Sequence, residues 1–137
     1  AIKIFVYTNS KEQTFELDTV LWIYSRKQFI PHGTIYDILP EKQPILIGSE
    51  LKNLNNSSSM IVINPDEDKI LSILSSTEVF DVNKCERLFL LHDNTFSLSN
   101  QNINNIIVKS SLHDFRLDFY MQADNNSWHV QNNVLNK

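Results

Sequence analysis

Four histidines and one cysteine are the side chains of this sequence best suited to metal binding or nucleophilic catalysis. The histidines, His32, His92, His113 and His129, do not stand at metal-ligand spacing from one another or from the cysteine. We therefore predict no zinc site, and we expect neither a metal nor a cofactor. Cys85 could act as a nucleophile only in a setting that lowers its pKa, so we interpret it as a small buried core residue.

His92 and Asp93 form the one pair that could serve a small-molecule or hydrolytic site. They follow a predicted strand, and open α/β sheets bind ligands at the carboxyl ends of their strands. The alternative, which we favour, is a turn that satisfies its own backbone groups. A ligand site would need a concave pocket with perturbed titration, whereas a strand end filled by Phe96 or Leu98 would exclude it.

Nucleotide binding through a glycine-rich phosphate loop is excluded by composition. The chain contains two glycines, Gly33 and Gly48, which are too few for either common motif. The acidic run 66–68 resembles a metal cluster, but a helix start explains it better. Asn64 is the predicted N-cap, Pro65 occupies the first helical position, and the three acids face the positive end of the helix dipole.

Length and charge restrict the class of protein further. The chain has 137 residues and a net charge of -4, which suits one domain spanning 1–137 and argues against strong direct binding to nucleic acid. A lone cysteine suits a reducing cytoplasm. No apolar run approaches the roughly 20 residues of a membrane span.

Short apolar runs alternate with helical patterns along the chain. We predict strands at 2–7, 44–48, 60–63 and 87–91, helices at 10–24, 65–74 and 98–112, and a hairpin formed by 116–122 and 128–131. This order is typical of a three-layer α/β/α fold with a mostly parallel, Rossmann-like sheet covered on both sides and a C-terminal β-hairpin.

The helix predicted over 10–24 carries large apolar side chains on two sides. The stripe expected to face the core consists of Leu17, Val20, Leu21 and Tyr24. Phe15 and Trp22, seven residues apart, share a face nearly opposite this stripe. Either another segment of the chain covers these two rings or they form a protein-binding hot spot.

Four short motifs, in the right order, resemble the DNA polymerase III chi subunit family. Residues 17–22 and 29–32 are similar to its LD-x-x-LW and F-[IV]-P-H signature. Residues 43–47 resemble the next strand of the family, 85–94 resemble a later strand end, and 117–122 with Trp128 resemble a closing hairpin. The similarity covers nearly all of the chain.

The resemblance implies a non-catalytic accessory subunit of the bacterial DNA polymerase III holoenzyme, acting in DNA replication. Such a subunit bridges the clamp loader, through the psi subunit, to single-stranded DNA-binding protein. The residues expected to contact psi, another clamp-loader component or a helicase are Trp22, Phe29, Phe15, Pro31 and His32.

The tail of single-stranded DNA-binding protein would contact the last helix. In the family, an Arg and a Lys beside an apolar notch hold this acidic, hydrophobic tail. Here the corresponding stretch 104–109 has Asn where the Arg is expected, so a weaker contact is predicted. The expected tail-binding residues are Ile107, Val108, Lys109 and Arg116. Whether Arg87 joins them in a basic pocket is left open.

The start of the chain departs from the family pattern. Family members usually begin with one further strand and helix, so the first strand-helix unit is apparently missing here. In a Rossmann-like order the absent strand would lie at the centre of the sheet and leave two rows of unpaired backbone groups. We expect either upstream residues in the native protein or another segment in the gap.

Overall fold

The computed structural model describes residues 3–24, 30–82, 84–96 and 98–132. The elements in chain order are β1 (Ile4–Tyr7), α1 (Lys11–Ile23), β2 (Gly33–Thr34), β3 (Ile45–Gly48), β4 (Ser59–Ile63), α2 (Glu67–Leu74), β5 (Arg87–His92), α3 (Asn100–Ser110), β6 (Arg116–Gln122) and β7 (Trp128–Asn132). All the predicted strands and helices are present near their predicted bounds, and the two-residue β2 is an addition.

The seven strands of the described residues form one sheet in the order β2-β3-β1-β4-β5-β6-β7. All neighbouring strands are parallel except β6 and β7, which form an antiparallel hairpin. The predicted α/β class, the mostly parallel sheet and the C-terminal hairpin are therefore confirmed. Because β1 pairs with β3 on one side and β4 on the other, the described sheet has no unpaired row at its centre.

One face of the sheet holds the core. Successive strand residues point to opposite faces, and the buried side chains on this face include Phe5, Leu46, Val62, Leu90 and Phe119. Helices α2 and α3 cover them with the buried residues Ile70, Ile73, Leu74 and Ile106. The predicted stripe of α2 is thus confirmed.

The opposite face is covered only in part. Helix α1 packs there, over β2 and β3. Leu17 and Leu21 of α1 also border Ile61, Ile63 and Leu91 of β4 and β5. Helices therefore lie on both faces of the described sheet, as the three-layer prediction requires, but one crossover helix reaches this face where two reach the other.

The start of α2 also differs from the prediction. Asp66, rather than Asn64, is the N-cap, since its carboxylate accepts the Lys69 N–H at 2.8 Å. Asn64 has a φ of 46° and bonds instead to Asp93, so it ends β4 as part of a turn. Glu67 and Asp68 do lie in the first turn of the helix, as the dipole argument requires.

Candidate docking surfaces

An aromatic surface lies where α1 meets the segment around β2. It consists of Phe15, Trp22 and Tyr36. The Phe15 and Tyr36 ring centroids are 5.4 Å apart, and the Lys11 ammonium lies 4.6 Å from the Tyr36 centroid. Phe15 is 44% exposed and Trp22 is 55% exposed, so about half of each ring remains available to another protein.

His32 supports this surface from beneath. Its side chain is fully buried, and its Nε2 lies 3.0 Å from Asp18 Oδ1. Its Nδ1 lies 2.7 Å from the Ile30 carbonyl oxygen. The imidazole and the Trp22 ring are 4.7 Å apart between centroids. His32 therefore ties the segment before β2 to α1 and gives Trp22 a rigid neighbour.

The structure brings together some of the predicted partner-binding residues. Trp22 and His32 are in contact, and Pro31 is exposed beside His32. Phe15 lies on the same helix but contacts Tyr36 instead. Sequence reasoning missed Tyr36, which has no periodic pattern to mark it. Phe29 lies outside the described residues.

The stripe of α1 that was predicted to face the core does not do so uniformly. Val20 and Tyr24 are more than half exposed, which contradicts the prediction for both. Leu17 and Leu21 are half-buried. The fully buried residue of α1 is Thr14, whose hydroxyl lies 2.7 Å from the Thr8 hydroxyl. This helix therefore packs through a small polar contact and leaves much of its apolar stripe uncovered.

The exposed part of this stripe borders an apolar groove between α1 and the sheet, which we call the sheet groove. The groove has a volume of about 220 Å³, and every residue that lines it is aliphatic: Ile4, Val6, Leu17, Leu21, Ile45, Ile61, Ile63 and Leu91. Val20 and Ile63 extend it on one side, and Trp128 extends it on the other. Sequence analysis did not predict it, because a continuous apolar run is typical of a strand buried on both faces, whereas here the aliphatic side chains of one face line an open groove.

A cluster of two arginines and one aspartate lies on the same face of the sheet as the groove. The Asp118 carboxylate is buried, 3.3 Å from Arg116 Nε and 3.5 Å from Arg87 Nη2. Strand alternation places Arg116 and Asp118 opposite the face that α3 covers. The structure thus joins Arg116 to Arg87 and does not join it to the predicted tail-binding residues of α3.

The remaining tail-binding candidates lie near the C-terminal end of α3. Val108 is 71% exposed, whereas Ile107 and Lys109 are half-buried. Ile106, the neighbouring residue, faces the core. An exposed valine beside a lysine in the last helical turn gives an apolar contact and a positive charge within one turn.

The strand end at His92 buries the imidazole, while the neighbouring Asp93 lines an open pocket with Asn64 and Trp128. His92 is buried and stacks on Phe96, with 5.0 Å between ring centroids. Its Nε2 donates to the Pro65 carbonyl oxygen at 2.8 Å. Thr95 and Asn64 donate hydrogen bonds to the Asp93 carboxylate and hold its pKa below the usual range. Phe96 thus fills the space beside His92, as the predicted turn requires, although His92 Nδ1 has no hydrogen-bond partner among the described residues.

The crevice between β1 and β4 is also filled. The helices that follow these strands leave toward opposite faces, and such a point is where open α/β sheets bind ligands. The Asn9 amide donates to the Ile63 carbonyl oxygen at 3.0 Å. The Lys69 ammonium donates to the Thr8 carbonyl oxygen at 3.0 Å and to Asn9 Oδ1 at 2.7 Å. These side chains occupy the space that a ligand would need.

Acid is expected to weaken the fold through His92. Burial lowers the pKa of His92, so the unfolded chain binds a proton at a higher pH than the folded chain does. The neutral His92 ring therefore makes its full contribution to the free energy of unfolding above the ordinary histidine pKa of about 6.5. This contribution is lost as pH falls through the lower pKa of the folded state. Urea unfolding of wild type and His92→Gln from pH 7.5 to pH 5 should show a smaller loss in the variant. An equal loss of unfolding free energy in the two proteins over this pH range would contradict this prediction.

Cys85 is buried, as predicted, and its thiol donates to the Arg87 carbonyl oxygen at 3.3 Å. Burial raises its pKa to about 12, so the reactive thiolate is not populated at neutral pH.

Within the described ranges, no group of three or more His, Cys, Asp or Glu side chains is placed to hold a metal ion. No described helix has both the length and the apolar character of a membrane span.

Comparison with known proteins gives two concordant matches. The family described as "DNA polymerase III chi subunit, HolC" matches residues 2–95. A protein of Rickettsia prowazekii (strain Madrid E) named "Probable DNA polymerase III subunit chi" is 35% identical over an alignment of 130 residues, which covers 92% of this chain and 73% of that protein. No solved structure matches.

Proposed function

The chain belongs to the DNA polymerase III chi subunit family, and from this premise we propose that it is an adaptor that joins the clamp loader to single-stranded DNA-binding protein. A chi subunit is a component of DNA polymerase III and acts in DNA replication. In our proposal the chain acts in the cytoplasm, contributes no catalytic group, and works by holding two other proteins together.

The aromatic surface is the proposed contact for psi or another clamp-loader component. The observation that carries this proposal is the Trp22 ring, which is half exposed and yet supported on one side by His32. Tryptophan is enriched among the residues that contribute most to protein interfaces. A ring that is already held in place also loses less side-chain freedom when a partner covers it.

The C-terminal end of α3 is the proposed contact for the tail of single-stranded DNA-binding protein. Val108 supplies exposed apolar surface and Lys109 supplies a positive charge in the same turn. An acidic, hydrophobic tail matches both properties. Because one lysine makes a less directional contact than an arginine does, this contact should be weak and sensitive to salt.

Three observations support the non-catalytic part of the proposal. The Cys85 thiol is protonated at neutral pH because its pKa is raised to about 12. His92 is sealed under Phe96. Asn9 and Lys69 fill the crevice between β1 and β4. The two candidate catalytic side chains, Cys85 and His92, are therefore both closed to a substrate.

The tail contact can be tested by titration of the protein with a peptide of the tail, with and without its terminal acidic and phenylalanine residues. We expect weak binding to the complete peptide that decreases as salt increases, and no binding to the shortened one. Lys109→Ala should reduce the affinity by about threefold to tenfold. Lys42→Ala, which removes an exposed lysine from a distant turn, should have no effect. Equal binding to both peptides, or to neither, would remove this arm from the proposal.

A further inference from the structure

Both ring nitrogens of His32 face hydrogen-bond acceptors. Nδ1 lies 2.7 Å from the Ile30 carbonyl oxygen. Nε2 lies 3.0 Å from Asp18 Oδ1 and 3.2 Å from the Asp18 carbonyl oxygen. The ring is therefore held from two sides, by α1 through Asp18 and by the segment before β2 through Ile30.

Burial makes these contacts consequential. The His32 side chain has no exposed surface, so water does not replace a hydrogen bond that the ring fails to make. The Asp18 side chain is 22% exposed and reaches the ring from α1, with Oδ1 3.0 Å from Nε2.

The same contacts fix Trp22. Asp18 and Trp22 are four residues apart on α1 and therefore lie on one side of the helix. The imidazole packs against the indole at an interplanar angle of 56°. His32 is followed directly by β2, where Gly33 and Thr34 pair with Leu46 and Ile47 of β3. The ring thus connects the exposed tryptophan to the edge of the sheet.

We propose that Asp18 and His32 form a latch that positions the Trp22 ring for its partner. Asp18 and His32 are positioning residues here, since the partner would touch Trp22 and His32 is buried. The effect on partner binding rests on the proposed function of the aromatic surface, whereas the placement of the ring does not.

The latch can be tested first without a partner. Asp18→Asn retains the shape and an acceptor oxygen but removes the charge. Glu16→Gln removes an exposed carboxylate of the same helix, in the pocket that adjoins the sheet groove, and it serves as the matched control. We expect the indole NMR signal of Trp22 to be the same in wild type and in Glu16→Gln and to be shifted in Asp18→Asn. An unchanged indole signal in Asp18→Asn, or an equal shift in Glu16→Gln, would overturn the latch.

The second test measures the affinity for purified psi. Asp18→Asn should bind about tenfold more weakly than wild type, with a circular dichroism spectrum like that of Glu16→Gln. Asp18→Glu, which restores the charge, should recover part of the affinity. If Trp22→Ala binds psi normally, the proposed function of this surface fails while the NMR result still decides the latch. If Trp22→Ala loses binding and Asp18→Asn does not, the positioning role fails alone.

Discussion

Replacing Trp22 with alanine is expected to abolish co-purification of the chain with psi while leaving the fold intact. The ring is 55% exposed, so its removal costs the free protein little core packing. In a complex the exposed half would be covered, and truncation of such an anchor typically costs at least about 2 kcal/mol. That loss corresponds to roughly a 30-fold weaker complex. Affinity purification of the co-expressed pair, with circular dichroism of the free variant, measures both parts.

Trp128→Ala provides the matched control for this experiment. Trp128 is also about half exposed, but it lies on β7 at the far side of the sheet groove. Its removal takes away a ring of the same size without touching α1, so psi should still co-purify. If Trp22→Ala retains psi as well, Trp22 does not belong to the interface. If Trp22→Ala loses its helical signal, Phe15→Ala becomes the test, since that ring contacts Tyr36 rather than His32.

The strands and α2 could be predicted from the sequence because their signals are local. A buried parallel strand reads as an apolar run, and Ile70, Ile73 and Leu74 recur at helical spacing on one face of α2. Tertiary packing did not override either signal. The bounds observed for these elements therefore differ from the predicted bounds by a few residues at most.

Helix α1 shows the limit of the same reasoning. Periodicity groups Leu17, Val20 and Leu21 on one side, but it does not tell which side another element covers. The buried position belongs to Thr14, which pairs with Thr8 across the end of β1. The aromatic pair was correctly predicted to leave the core, since both rings remain about half exposed. The support from Tyr36 and His32 depends on a segment that follows α1 along the chain.

Polar contacts between distant residues were the least predictable feature. Asn55 is completely buried and donates to the carbonyl oxygens of Ile4 and Gln43, at 3.1 and 3.0 Å. It lies in a polar loop that carried no interpretable pattern, and Ile4 is 51 residues away in the sequence. Arg116 is a similar case, because its face of the sheet depends on the register between β5 and β6.

Helix α1 presents two different surfaces. One flank carries the aromatic surface, where Phe15 and Trp22 are supported by residues of this chain. The other flank, with Leu17 and Leu21, borders the sheet groove. A partner on the first flank would contact rings that are already supported. An occupant of the second would cover aliphatic side chains of the sheet itself.

The unequal covering of the two sheet faces predicts a large difference between two neighbouring leucines of β5. Leu90 is fully buried under α2 and α3, so Leu90→Ala should lower the free energy of unfolding by about 2–5 kcal/mol. Leu91 points to the sheet groove and is half-buried, so Leu91→Ala should cost roughly 1 kcal/mol. The two substitutions remove the same atoms from adjacent positions of one strand, and each serves as the control for the other. Urea denaturation measures both values. Equal losses of unfolding free energy would contradict this prediction, because they would mean that Leu91 is covered in solution as fully as Leu90.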